Sequence, residues 1–98
     1  MKYNIFILIS ANNDLITIRD DLAEFGESQA NAFIDSFHKF IGNVSIMPSM
    51  FPEYNRKPKY RKAPLAYDYL AFYRVDKKNK TVKIYRILHG KQNIANFL

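Results

Sequence analysis

Arg74, Lys83, Tyr85 and His89 are the side chains of this sequence that compose a recognisable chemistry. Breaking a phosphodiester without a metal takes cations that stabilise a phosphorane-like transition state and a group such as His, Tyr or Lys that moves a proton. All four lie in the last third of the chain, where Tyr69-Leu70-Ala71-Phe72-Tyr73-Arg74-Val75-Asp76 passes through Lys77 to Lys80 and returns as Thr81-Val82-Lys83-Ile84-Tyr85-Arg86-Ile87-Leu88-His89-Gly90. Any basic hairpin with aromatics supplies the same set, so these residues suit the binding of an anionic partner as well as catalysis. Other chemistries lack their residues. There is no Gly-rich phosphate loop, no cysteine, no nucleophile beside a base, and the two histidines, His38 and His89, stand in unrelated places. No metal and no cofactor are expected.

A hairpin fixes which of these side chains share a face. A turn at Lys78-Asn79 and a wider one over Lys77 to Lys80 give the same register, with Asp76 opposite Thr81 and Val75 opposite Val82. One face then carries Ala71, Tyr73 and Val75 with Val82, Ile84, Arg86 and Leu88. The other carries Leu70, Phe72, Arg74 and Asp76 with Thr81, Lys83, Tyr85, Ile87 and His89. The first face is the more apolar and is expected against the helices, which makes Arg86 a partly buried cation in need of a carboxylate. Helix one offers Asp14 or Asp21, and Arg86 with Asp14 is the expected structural ion pair. Arg74, Lys83, Tyr85 and His89 remain as the exposed contact set, joined by Lys59, Arg61 and Lys91.

The elements that must position this hairpin follow from hydrophobic periodicity. Tyr3 to Ser10 is an apolar, β-branched run of strand length, expected to be covered on at least one face. Asn12 or Asn13 can cap a helix with acidic Asp14 in its first turn, and Leu15, Ile18, Leu22 and Phe25 recur at helical spacing until Gly26 stops it. Ser28 can cap a second helix, striped by Ala30, Phe33, Ile34, Phe37 and Ile41 and stopped by Gly42. The short link between the helices predicts an antiparallel helical hairpin. From Val44 to Pro64, prolines and a cationic cluster predict a loop leading into a short strand around Tyr60 to Ala63. The order strand, helix, helix, three strands predicts an α+β fold: an N-terminal strand, an antiparallel helical hairpin, then a three-stranded antiparallel meander forming one sheet.

With 98 residues and 48% hydrophobic content, the chain suits one compact domain spanning 1–98. Its charge is polarised: Met1 to Met50 sums to 3 − 6 = −3, and Phe51 to Leu98 to 12 − 3 = +9. A basic half implies an acidic partner, either nucleic acid or an anionic protein segment. The absence of cysteine favours the cytoplasm. The run Ile5 to Ile9 is too short for a membrane span, and Asn12-Asn13-Asp14 stand where a signal peptide would be cleaved, so no membrane association is expected.

Four stretches carry a family resemblance: Asp14-Leu15 with Ile18, Phe51-Pro52-Glu53-Tyr54, Tyr69 to Val75, and Arg86-Ile87-Leu88-His89-Gly90-Lys91-Gln92-Asn93-Ile94. Together they resemble the RelE/ParE superfamily of toxins from bacterial type II toxin-antitoxin systems, whose element order matches the one above. The hairpin and closing segment are more similar to the ParE branch. That resemblance implies growth inhibition by direct binding of DNA gyrase, a part in plasmid stabilisation, and neutralisation by a cognate acidic antitoxin in a hetero-oligomeric complex. The RelE branch implies instead a metal-independent endoribonuclease that cuts mRNA on the ribosome, with Arg74, Lys83, Tyr85 and His89 as the catalytic set. RelE-type toxins place an arginine early in the penultimate strand, where this chain has Leu70, and another after the last strand, where it has Gln92. Their C-terminal tyrosine has no counterpart before Leu98. These departures favour a non-enzymatic, ParE-like inhibitor.

Overall fold

The computed structural model describes residues 2–98. It contains strand β1 (Asn4–Ile7), helices α1 (Ile9–Ala23) and α2 (Glu27–Ile46), and strands β2 (Arg61–Pro64), β3 (Tyr69–Asp76) and β4 (Thr81–His89), with 3-10 turns at Ala66–Asp68 and Ile94–Asn96. The strands form one sheet in the order β1-β4-β3-β2. This is the α+β arrangement that the element order predicts, with one difference. β1 pairs parallel with β4, so the sheet is mixed. A parallel neighbour requires a long connection, and nearly the whole chain lies between these two strands. No helix among the described residues is long and apolar enough to cross a membrane.

β1 is shorter and less covered than its apolar run predicts. It is an edge strand, and the helices cover only the face on which Ile5 packs, leaving Phe6 57% exposed. The first helix starts at Ile9, not after Asn12 or Asn13. The Leu8 amide donates to the Ile84 carbonyl at 3.0 Å, and the Leu8 carbonyl accepts from the Asn12 amide at 2.9 Å. One residue thus ends the ladder and opens the helix, which leaves no room for a capping loop. Ala11, Leu15 and Ile18 then face the sheet, while Phe25 lies past the end of α1 and is exposed.

α2 begins after Gly26, with Ser28 already inside it, and runs through Gly42 to Ile46. The expected stop fails for a quantitative reason. A glycine inside a helix costs about 1 kcal/mol relative to alanine, whereas burying one further apolar side chain contributes about 1.5–3 kcal/mol. Continuing the helix past Gly42 buries Val44 completely. β2 is displaced by one residue from its expected span, to Arg61–Pro64.

The hairpin keeps its expected register near the turn, with Val75 opposite Val82 and Asp76 opposite Thr81, and then departs from it. Tyr73 faces Ile84 and Phe72 faces Arg86, so Tyr85 has no partner and forms a β-bulge. Beyond the bulge the two faces exchange. Ile87 joins the helix-side core with Ala71 and Ile84, and Leu88 turns to the opposite face beside Phe72. A constant register assigns these two residues the other way round.

The bulge is anchored from α1. Ser10 Oγ donates to the Tyr85 carbonyl at 2.8 Å. The Asp14 carboxylate accepts three bonds, from Arg86 Nε at 2.7 Å, Arg86 Nη2 at 2.9 Å and the Ile87 amide at 2.9 Å. The pair is half-sheltered, with the two side chains 25% and 16% exposed, and the carboxylate raises the pKa of the Arg86 guanidinium above its usual value. On the other side of the core, fully buried Tyr73 donates its hydroxyl to the Pro48 carbonyl at 2.9 Å, and burial pushes its pKa up to about 12.

Removing the Asp14 carboxylate leaves a guanidinium and an amide without their acceptor. Asp14→Ala should lower unfolding stability by about 2–3 kcal/mol, read from the urea midpoint. Asp14→Asn, which keeps one acceptor, should lose less, and equal loss in the two variants would contradict this account. For Tyr73, the raised pKa means that the unfolded chain ionises first, so its contribution to stability is complete below pH 10.0 and is lost as pH rises toward about 12. Tyr73→Phe should be about 1 kcal/mol less stable than the parent at pH 7. That deficit should shrink above pH 10, and a gap that stays constant across an alkaline titration of the urea midpoint would rule the linkage out.

Candidate functional site

The sheet face turned away from the helices is only partly covered. A second cluster of Tyr54, Tyr60, Phe72 and Leu88 packs there, flanked by Leu70, Tyr85, Ile94 and Leu98. The proline-rich segment builds half of this cover by folding back on itself. The Tyr54 amide donates to the Tyr60 carbonyl at 2.8 Å, and the Lys62 amide donates to the Pro52 carbonyl at 3.0 Å. Arg61 Nη1 donates to the Phe51 carbonyl at 2.7 Å and ties the segment to β2. The far face is therefore not the uniformly exposed contact surface that alternation predicts.

Beside this cluster a cleft of about 580 Å³ remains open, lined by Lys59, Arg61, Arg74, Lys83 and Tyr85 together with Glu53, Asp76 and Lys77. Arg74 and Lys83 face each other directly across the β3–β4 ladder. The Arg74 guanidinium lies 6.0 Å from the Tyr60 ring centre and 5.7 Å from that of Tyr85, and the two tyrosines meet edge to face at 5.2 Å. Lys59 Nζ lies 5.5 Å from the Tyr60 ring. Cations over aromatic faces keep their charge while their position is restrained.

Almost nothing in the cleft neutralises these cations. The Asp76 carboxylate accepts from the Asn79 side chain at 2.8 Å and the Asn79 amide at 3.1 Å, and these bonds hold its pKa below the usual carboxylate value. It is thereby committed to the turn. Among the described residues, ion pairs form only at Arg19–Asp20 and Arg86–Asp14, so no cleft cation has a carboxylate within pairing distance. Two like charges opposite one another on a sheet, without a counter-ion, suit an anionic ligand. No group of three or more His, Asp or Glu side chains is placed to share a metal ion among the described residues.

The structure divides the expected contact set. Lys59, Arg61, Arg74, Lys83 and Tyr85 come together in the cleft, but His89 and Lys91 do not. His89 lies six positions beyond Lys83 along β4, about 20 Å of extended chain. The four-residue catalytic arrangement of Arg74, Lys83, Tyr85 and His89 is therefore not assembled. His89 packs edge to face on Tyr69 at 5.0 Å, and its Nδ1 accepts from the Lys91 amide at 3.2 Å. Gln92 closes the same turn by accepting from the His89 amide, and Leu70 packs into the second cluster. Both positions that depart from the RelE pattern have structural work in this chain. Tyr60, buried beneath the cleft, is the residue against which Arg74 and Lys59 rest, and it is absent from the expected set of site residues. Pairing the short strand antiparallel with β3 would have placed it opposite Arg74.

The family model described as the ParE toxin of type II toxin-antitoxin system, parDE, matches residues 5–94. No curated protein matches the chain in sequence. Among solved structures, the chromosomal ParDE toxin-antitoxin system of P. aeruginosa superposes with a TM-score of 0.73 at 19% identity, over 90% of this chain and 96% of that one. The RelBE2 toxin-antitoxin complex of Mycobacterium tuberculosis gives 0.59 at 22% identity, over 91% and 99%. A mutant of the E. coli toxin RelE in the free state gives 0.69 at 14% identity, over 98% and 92%. At these identities the structural likeness is one of fold. The sequence match is broader in meaning, because it runs from β1 through both helices and the whole hairpin. The chain belongs to the family of ParE toxins of type II toxin-antitoxin systems.

Proposed function

We propose that this toxin inhibits DNA gyrase by direct binding and that a cognate acidic antitoxin neutralises it. The observation that carries the choice of binding over cutting is the separation of His89 from the cationic cleft. A ribonuclease needs its proton-transfer group within hydrogen-bond reach of the atom that its cations stabilise, and His89 lies at the opposite end of β4 from Lys83. Leu70 and Gln92, which pack and close a turn, add no cation in its place.

As a binding surface the cleft is well prepared. Arg74 is restrained over two tyrosines, and Lys59 and Lys83 flank it. Unpaired positive charge on a protein steers an acidic partner and speeds encounter, with an effect that weakens as salt rises. An acidic antitoxin segment that folds on this basic half would cover the same charge, with coupled folding giving a large interface. The RelBE2 structure is a toxin-antitoxin complex and the ParDE one is of a toxin-antitoxin system, which supports a hetero-oligomeric state for this chain as well.

Arg74, Lys83 and Tyr85 do share one cleft, and that observation sustains a second reading as a ribosome-dependent mRNA endoribonuclease in which Tyr85 or a lysine moves the proton. The two are separated by adding the purified protein to a gyrase supercoiling reaction and to a translating ribosome with mRNA ends mapped. Supercoiling should fail while mRNA ends stay unchanged, and Lys83→Ala with Arg74→Ala should restore at least tenfold of the lost supercoiling activity at equal protein. Cleavage between codon positions with gyrase unaffected would overturn the proposal in favour of the second reading.

A further inference from the structure

The sheet has two edges, and they are treated differently. Along β2, Glu53 bridges to Arg61 and the Lys62 amide donates to the Pro52 carbonyl at 3.0 Å, so the folded-back loop covers that side. β1 has no such cover among the described residues. The Asn4 amide donates to the Lys80 carbonyl and the Leu8 amide to that of Ile84, which turns the backbone groups of Asn4, Phe6 and Leu8 toward β4. Alternation turns those of Ile5 and Ile7 outward, where no strand receives them. Edge strands are commonly guarded by a charge, a proline or a bulge. Asn4-Ile5-Phe6-Ile7 contains none of these, and its Phe6 ring is more than half exposed.

We propose that two copies of this chain join their sheets at β1, antiparallel, about a two-fold axis at Phe6. The open stretch is bounded at both ends: the Tyr3 amide donates to the Ser45 carbonyl at 2.7 Å, so the end of α2 closes the edge before Ile5, and α1 begins at Ile9. A stretch so bounded is complementary to itself. Pairing Ile5 with Ile7 of the second copy, and Ile7 with its Ile5, uses every outward backbone group. The other symmetric registers, Ile5 with Ile5 or Ile7 with Ile7, draw Tyr3 or Ile9 into the ladder, and these are committed to α2 and α1. Phe6 then faces Phe6 in a non-hydrogen-bonded pair, the closer kind, with Cα atoms about 4.5 Å apart. Ile9, 82% exposed, comes level with Tyr3 of the second copy, where Ser45 leads into exposed Ile46 and Met47. The two Lys83 residues, register partners of Phe6, stand three strand spacings apart, about 14 Å, beyond the screening length of about 8 Å at physiological salt. An acidic segment is a poorer occupant, because β1 carries no charge and belongs to the half of the chain whose net charge is −3. The surface is distinct from the cationic cleft, and the inference does not depend on the gyrase reading.

The test uses the full chain alone. Sedimentation velocity across a concentration series should show a reversible monomer and dimer. Phe6→Asp sets two carboxylates against each other at the axis and should raise the dimer dissociation constant at least about tenfold. Its melting curve should match the parent at concentrations where both are monomeric, which separates lost association from lost folding. The chain has no cysteine, so single cysteines report the register directly. Phe6→Cys should form a covalent dimer under mild oxidation at least about tenfold faster than Asn4→Cys, since only the first brings two Cα atoms within disulfide range. A chain that stays monomeric at every concentration, or cross-linking at equal rates in the two variants, would overturn the proposal. A monomeric chain whose Phe6→Asp variant loses affinity for its antitoxin would overturn it too, and would give the edge to an antitoxin strand.

Discussion

The Asp14 carboxylate is the constraint on which the rest of this structure depends. Its three donors all come from one irregular stretch of β4, the guanidinium of Arg86 and the amide of Ile87, just past the bulged Tyr85. A bulge leaves backbone groups out of the ladder, and groups near a buried surface require partners. α1 supplies them, Asp14 for the Ile87 amide and Ser10 for the Tyr85 carbonyl. The same contacts fix how closely α1 approaches the sheet, which explains why a residue as small as Ala11 lies fully buried beneath it. With the bulge held, Ile87 turns into the helix-side core and Leu88 into the second cluster, so one strand feeds apolar side chains to both faces. The second cluster is small, and only the folded-back loop and C-terminal residues cover it. What remains uncovered is the strip that carries the cations.

Much of this architecture is legible in the residues because periodicity and turn chemistry agree. Val75, Val82, Ile84 and Tyr73 sort correctly because the hairpin turn fixes their register, and the Arg86 side chain reaches toward helix one because a sheltered cation requires a carboxylate. The misassigned elements share a different cause. Gly42, Asn12 and Asn13 are local signals overruled by packing: the helix continues past the glycine to bury Val44, and starts before the asparagines because Leu8 is already bonded to β4. The bulge has no local signal at all. Ile87 and Leu88 are equally apolar, and only the three-dimensional demand of Asp14 decides which one turns inward.

The candidate site divides along similar lines. Arg74, Lys83 and Tyr85 are found together because they lie close to one another near one end of the hairpin, and Lys59 joins them through the folded-back loop before β2. His89 is misplaced because the bulge at Tyr85 interrupts the alternation: its register partner Tyr69 packs on the helix-side core, so His89 lies on that face, at the far end of β4 from Lys83. Phe6 escapes notice for a different reason. It sits in an apolar run, and an apolar run reads as buried, whereas an edge strand beneath a helical layer is covered on one side only.

The pair Arg74 and Lys83 gives the open face its energetic meaning. Like charges directly opposite across a ladder cost roughly 0.2–1 kcal/mol, and among the described residues no carboxylate pairs directly with either cation. Arg74 is further restrained by Tyr60 and Tyr85, so the guanidinium does not swing away to relieve the repulsion cheaply. A folded domain retains such an arrangement at small expense, because the loss is a minor share of its total stability. A bound anion removes the repulsion and finds its contacts already oriented, so the strain of the free state becomes part of the affinity of the bound state. The helix-side core, with its tyrosine hydroxyl, arginine and carboxylate all satisfied, has no such reserve. Recognition in this toxin is therefore concentrated on the far face of the sheet, where the fold leaves its electrostatics incomplete.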